Sequence, residues 1–294
     1  MLFLCLAGAT SGLHAQDLEP RAYAPNPIGA NFLALAIVNS TGEVLLDPAL
    51  PLSDVQADLN SGALGYVHTF GLFDRSANAA LALPYVRGDV AGNVGEERRE
   101  VWRSGLGDVR LRLSMNLIGG PALTPAEFAQ REPQWTLGTS LTIVAPSGQY
   151  MPDKLVNIGS NRWSFKPELG VSFPMGHWTL EAYAGLWLFT DNDNFFGGSL
   201  REQDPVKSFQ AHVAYTFRPR LWLAFNANYY TGGRTIVDGT PGGEILANSR
   251  IGLTLSIPGG ARQSWKFNWS EGLTTRLGGD FRTIGVSWQY LWFD

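Results

Sequence analysis

The side chains of this sequence best placed to act on another molecule are ionisable groups on the polar positions of alternating segments. Arg110, Arg112, Lys166, Glu168, Glu181, His212, Arg250 and Lys266 each neighbour an apolar residue, as do Asn226 and Asn228. Asp108 shares this parity, and Lys207 falls less surely on it. Charges inside a protein must be hydrated or paired. Around a water-filled path they bias which ion enters, and the basic excess then favours anionic or dipolar solutes such as aromatic acids. Alternatively, the cations pair with Glu168 and Glu181, fill the interior and fix strand register. The two glutamates could also act as a glycosidase-like acid–base pair, but the neighbouring cations make ion pairing the simpler account. His212 has no adjacent serine and the chain has no H-E-x-x-H, so no nucleophile–base arrangement is legible and no catalytic residue is assigned. Thr190-Asp191-Asn192-Asp193-Asn194 resembles the start of a calcium loop but lacks its downstream pattern and twelfth-position Glu. These Asx residues suit turn backbone groups instead. No metal or cofactor is expected.

The elements that carry these residues read as β-strands, whose successive side chains point to opposite faces. Thr283–Phe293 puts Ile284, Val286, Trp288, Tyr290 and Trp292 on one face and Thr283, Gly285, Ser287 and Gln289 on the other. The same pattern recurs around Val109–Leu117, Trp135–Ile143, Trp163–Phe173, Trp178–Leu188, Phe209–Phe217, Leu221–Tyr229, Ile251–Ile257 and Trp265–Trp269. Gly138 and Gly170 fall among the small or polar positions. Asn31–Val38, Ala57–Phe70 and Ala79–Val90 read as strands without assignable faces. That makes about twelve strands, each near the length of a tilted membrane-crossing strand. Trp135, Trp163, Trp178, Phe217, Tyr229, Trp265 and Trp292 lie on apolar faces, several at strand ends, as in an aromatic girdle. On this parity Leu253 faces lipid and Thr254 the interior, so arginine is expected to be far costlier at 253.

Connections alternate in length. Short turns such as Met175-Gly176-His177 and Arg218-Pro219-Arg220 alternate with long polar stretches at 39–55, 89–106, 146–162, 191–204, 231–248 and 271–281. This is the signature of an up-and-down antiparallel barrel with short periplasmic turns and long external loops. Residues 119–133 break the rule with a helix start at Thr124-Pro125-Ala126-Glu127. Charged residues are only 16% of the 294, against roughly 25% in soluble domains. Beyond the first dozen residues no apolar run is long enough for a membrane helix. The net charge of −4 gives no reason to expect nucleic acid. Residues 1–15 read as a signal peptide cleaved after Ala15, residues 16–30 as a periplasmic N-terminal segment, and residues 31–294 as the barrel. Cys5, the one cysteine, falls in the signal stretch, leaving no internal disulfide. A soluble β-sandwich would have to explain both the signal peptide and a second face that is polar without being strongly charged.

Several stretches, among them LEPRAYAPNPIGANFL, GDVRLRLSMNLIGGPALTPAEF, PDKLVNIGSNRWSFKPELGVS and TLEAYAGLWLFTDNDNFFGG, resemble the bacterial outer-membrane family labelled meta-pathway of phenol degradation. The resemblance runs over nearly the whole mature chain without a compact catalytic motif. It implies an all-β outer-membrane barrel and uptake of small, aromatic or hydrophobic molecules. The expected partners are outer-membrane lipid, a small-molecule solute and, through the C-terminal strand, the barrel-assembly machinery. A lipase- or protease-like barrel enzyme and a structural or adhesion barrel with a plugged lumen stand as alternatives. The sequence leaves open the solute, the oligomeric state and whether residues 17–30 plug the periplasmic end.

Overall fold

The first strand pairs along its length with the last. In the computed structural model, which describes residues 18–45 and 52–294, β1 (Ala30–Leu45) lies between β2 (Leu52–Leu72) and β17 (Gly278–Phe293), from Ala30↔Phe293 to Leu45↔Gly278. The signal-peptide reading of residues 1–15 falls outside the described residues. The other elements are β3 (Arg75–Val94), β4 (Glu97–Leu106), β5 (Arg110–Ile118), helix α1 (Pro125–Ala129), β6 (Thr136–Val144), β7 (Ser164–Met175) and β8 (Trp178–Phe189). They continue with β9 (Asn192–Phe195), β10 (Ser199–Gln203), β11 (Val206–Arg218), β12 (Leu221–Gly232), β13 (Thr235–Val237), β14 (Thr240–Pro241), β15 (Leu246–Pro258) and β16 (Gln263–Thr274). β3 pairs with β5 through Ala77–Ala82 and with β4 through Tyr85–Val94, so β4 and β5 are two lengths of one stave. Counted so, the sheet is a closed antiparallel barrel of twelve staves, as expected. β9, β10, β13 and β14 form a separate four-stranded sheet.

Exposure is inverted relative to a soluble protein. The outward positions of β7 and β16 include Leu169, 54% exposed, Phe173, Trp265 and Phe267, whereas inward Lys166, Glu168 and Ser172 are buried. A closed sheet with aliphatic side chains outside and ionic groups inside has lipid as its outer solvent. No described helix is long and apolar enough to cross a membrane. Parity now extends to the first strands, where Leu35, Ile37, Leu64, Tyr66, Leu81, Leu83 and Tyr85 face outward. Trp135, Trp163, Trp178, Phe217, Tyr229 and Trp265 are exposed on the wall, and Trp292 is half-buried against Tyr290 and Tyr66. Lys207 is exposed on the outer face, not in the lumen.

Five stretches read as external loops are largely strand. β1 runs to Leu45 and β2 begins at Leu52; residues 89–106 form the end of β3 and all of β4; the small sheet occupies parts of 191–204 and 231–248; and β16 and β17 leave only 275–277 between them. The cause is physical. β2, with 21 residues, spans about 70 Å at roughly 3.3 Å per residue, well beyond a lipid band of about 25 Å even when tilted. Above that band both faces meet water, so alternation stops while backbone pairing continues. The helix expected after Thr124 is present. The Thr124 side chain accepts from the Glu127 N–H, and the Glu127 carboxylate accepts from the Thr124 N–H at 2.9 Å, a capping box with Pro125 in its first turn. That backbone bond holds the Glu127 carboxyl below its ordinary range.

Candidate functional site

Residues 16–30, read as a periplasmic segment, enter the barrel as far as they are described. At the short-turn end, Gly29 N–H donates to Thr69 O at 2.8 Å, Ile28 N–H to Leu123 O at 2.9 Å and Ser76 Oγ to Asn26 O at 3.0 Å. Further in, Asn116 Nδ2 donates to Tyr23 O at 2.8 Å, Ala22 N–H to the Tyr183 hydroxyl at 3.2 Å, and Arg21 N–H to Glu181 Oε2 at 2.6 Å. The Arg21 guanidinium bonds Thr216 Oγ1 and lies 4.8 Å over the Trp222 ring. Glu19 reaches Arg112 Nη1 at 2.7 Å. Residues 18–29 form no strand, yet they are held on many sides by the lumen wall.

Tyr23 is the centre of this contact and is only 2% exposed. Its ring lies against the backbone of Gly138 and Gly170, which face each other on β6 and β7. A Cβ at either glycine would collide with the ring. Its hydroxyl stands 2.9 Å from both Ser140 Oγ and Glu168 Oε1. Glu168 joins the wall to the segment: its carboxylate also takes Lys166 Nζ at 2.6 Å, Arg112 Nη2 at 3.5 Å and Gln210 Nε2 at 3.3 Å. Arg112 thus bridges two carboxylates, one from the wall and one from the segment.

The other sequence candidates are inward-facing but dispersed. His212 is buried, and its Nδ1 stands 2.8 Å from Asn226 Oδ1; Asn226 Nδ2 donates in turn to Thr254 Oγ1 at 3.0 Å. That chain holds no serine nucleophile. Arg250 Nη2 donates to Phe281 O at 2.7 Å and Ser270 Oγ at 3.0 Å, while its Nε and Nη1 have no protein partner. Asn228, directly across from Arg250 in the sheet, uses neither amide atom on protein. Lys266 is half-buried beside Ser256 and Ser287, and Arg110 is half-buried on β5. Asp108 is buried, as its parity suggested. It sits at the break between β4 and β5, where its carboxylate accepts from the N–H groups of Gly148 at 2.9 Å and Ser160 at 2.8 Å, anchoring the 146–162 loop. Asn192, in the calcium-like stretch, accepts from Asn161 Nδ2 and the Asn194 N–H, the work of a turn residue.

The family described as “Putative MetA-pathway of phenol degradation” matches residues 37–290. The chain belongs to that family. Its members' label thus covers all twelve staves of this barrel, although the match begins beyond the inserted segment. Among solved structures, the COG4313 outer membrane channel from Pseudomonas putida F1 is similar at 22% identity and a TM-score of 0.80, covering 94% of this chain and 100% of that one. The transport unit of the autotransporter AIDA-I from Escherichia coli is similar at 10% identity and a TM-score of 0.51, over 98% of this chain and 96% of that one. The β domain of the Bordetella autotransporter BrkA gives 10% and 0.52, over 90% and 100%. No curated protein matches in sequence. This phenol-degradation family barrel is an integral protein of the outer membrane.

Sequence reading missed Glu19, Arg21, Tyr23, Tyr183 and Gln210 as site residues. The usable signal was Gly138 and Gly170 facing inward on neighbouring strands: two absent side chains at one level leave room for a ring.

Proposed function

We propose that this barrel is an outer-membrane channel for small solutes, narrowed at mid-lumen by its own residues 18–29. The observation that carries the reading is that the material across the lumen is a segment outside the sheet. It can leave without breaking a ladder, whereas side chains filling the lumen from the wall could not. The wall around the segment is polar: the buried Gln210, His212, Asn226, Asn228 and Arg250 line it. Unpaired polar atoms on Asn228 and Arg250 suit a hydrated path. The family's link to phenol degradation favours small aromatic or hydrophobic solutes.

No covalent step enters this reading. The anion preference expected from Arg112 and Lys166 is reduced here, because Glu19 and Glu168 neutralise both in the closed arrangement. The C-terminal β17, with Trp288, Tyr290 and Trp292 on its outer parity, supplies the strand that the barrel-assembly machinery would engage. Swelling of proteoliposomes in isotonic solutions of small solutes tests the channel reading. Uptake that falls with solute size is expected; no uptake by the full-length protein or by a form lacking residues 18–24 would contradict it.

A further inference from the structure

The seat of the Tyr23 ring has a chemistry of its own. Its floor is the bare backbone of Gly138 and Gly170. Tyr183 closes one side edge-on, with ring centroids 5.0 Å apart, and the Arg112 guanidinium lies 5.2 Å over the ring. At the far end, Ser140 Oγ and Glu168 Oε1 meet the hydroxyl, each at 2.9 Å. Each of these surrounding groups belongs to the barrel, and only the ring belongs to the segment. A flat floor, a cation on the π face, and a carboxylate acceptor beside a hydroxyl are together what recognise a phenol.

We propose that this seat is a binding site for phenolic solutes and that Tyr23 is a built-in competitor for it. The proposal rests on the reading of the barrel as a channel for small aromatic solutes. A phenol in the seat donates its hydroxyl to Glu168, accepts from Ser140 and takes the ring position, which requires Tyr23 to leave. The segment then loses its most buried anchor and keeps the Glu19 and Arg21 contacts, so occupancy by solute favours an unblocked lumen. The tyrosine enters through its para carbon. Phenols with a small para substituent therefore match the direction in which the Tyr23 Cβ leaves the seat.

Equilibrium dialysis of radiolabelled phenol against full-length, detergent-solubilised protein tests the assignment. Tyr23→Ala should bind phenol at least about tenfold more tightly than the wild type, whose seat is free only in the displaced fraction. Tyr23→Phe, which keeps the ring and loses the hydroxyl, should fall between the two. Adding Gly170→Val to Tyr23→Ala should abolish binding, and para-cresol but not cyclohexanol should compete. Equal affinity for wild type, Tyr23→Phe and Tyr23→Ala, or binding that survives Gly170→Val, would overturn the proposal. Phenol binding with the expected pattern in a protein that passes no solute through liposomes would keep the seat and contradict the channel. Solute flux without that pattern would keep the channel and remove the seat.

Discussion

Glu168 ties the lumen wall to the inserted segment. Its two oxygens meet a lysine, an arginine, a glutamine and the Tyr23 hydroxyl, and it is only 6% exposed. Removing one partner of a buried pair leaves the other charge uncompensated, typically at a cost of about 3–5 kcal/mol. Glu168→Gln is therefore expected to lower the urea midpoint for folding into bilayers by a matching amount. Lys166→Met with Glu168→Leu should recover most of the loss, because neither charge then needs a partner. A Glu168→Gln protein as stable as the wild type would mean the ion pair is already screened by lumen water. Parity made the inward direction of Glu168 and Lys166 legible, together with their pairing. It could not show that Tyr23 and Glu19 complete the cluster. Nothing in LEPRAYAPNP alternates, and the segment's conformation is set by the wall it meets.

Strands were legible where their two faces meet different solvents and illegible where they do not. β15 shows the first condition: Leu253 is 41% exposed to the lipid side, and Thr254 is 4% exposed and bonded to Asn226. Leu253→Arg should cost roughly 2–4 kcal/mol near the membrane midplane, and Leu253→Phe close to nothing, measured by reversible folding into bilayers. Equal costs would place Leu253 away from lipid. The expectation that Thr254→Arg would cost far less than Leu253→Arg narrows. The position is inward, but it is packed and hydrogen-bonded, and overfilling such a site typically costs about 1–3 kcal/mol. Lumen-facing parity describes direction, while cost depends on how full the lumen is at that level. The external ends of β1 to β4 meet water on both faces, so they continue as strands after the apolar signal has stopped.

At the scale of the whole molecule, twelve staves supply a closed wall, and the proposed channel is narrowed by one short segment inside it. The wall is held by a complete ring of ladders, from β1 with β17 round to β2 with β3. Residues 18–24 are held without a ladder of their own: Glu19 on Arg112, the Arg21 N–H on Glu181 and its guanidinium on Thr216, and Tyr23 in its glycine seat. This division predicts that the segment can be removed without loss of the barrel. Single-channel current in planar bilayers, compared between the full-length protein and one lacking residues 18–24, tests this most directly. The deletion should fold, insert and show a severalfold larger and steadier conductance. Its ion preference should change little, because the deletion removes the Arg21 cation together with the Glu19 carboxylate. A deletion protein that inserts but conducts no more than the full-length chain would show that residues 18–24 do not close the lumen.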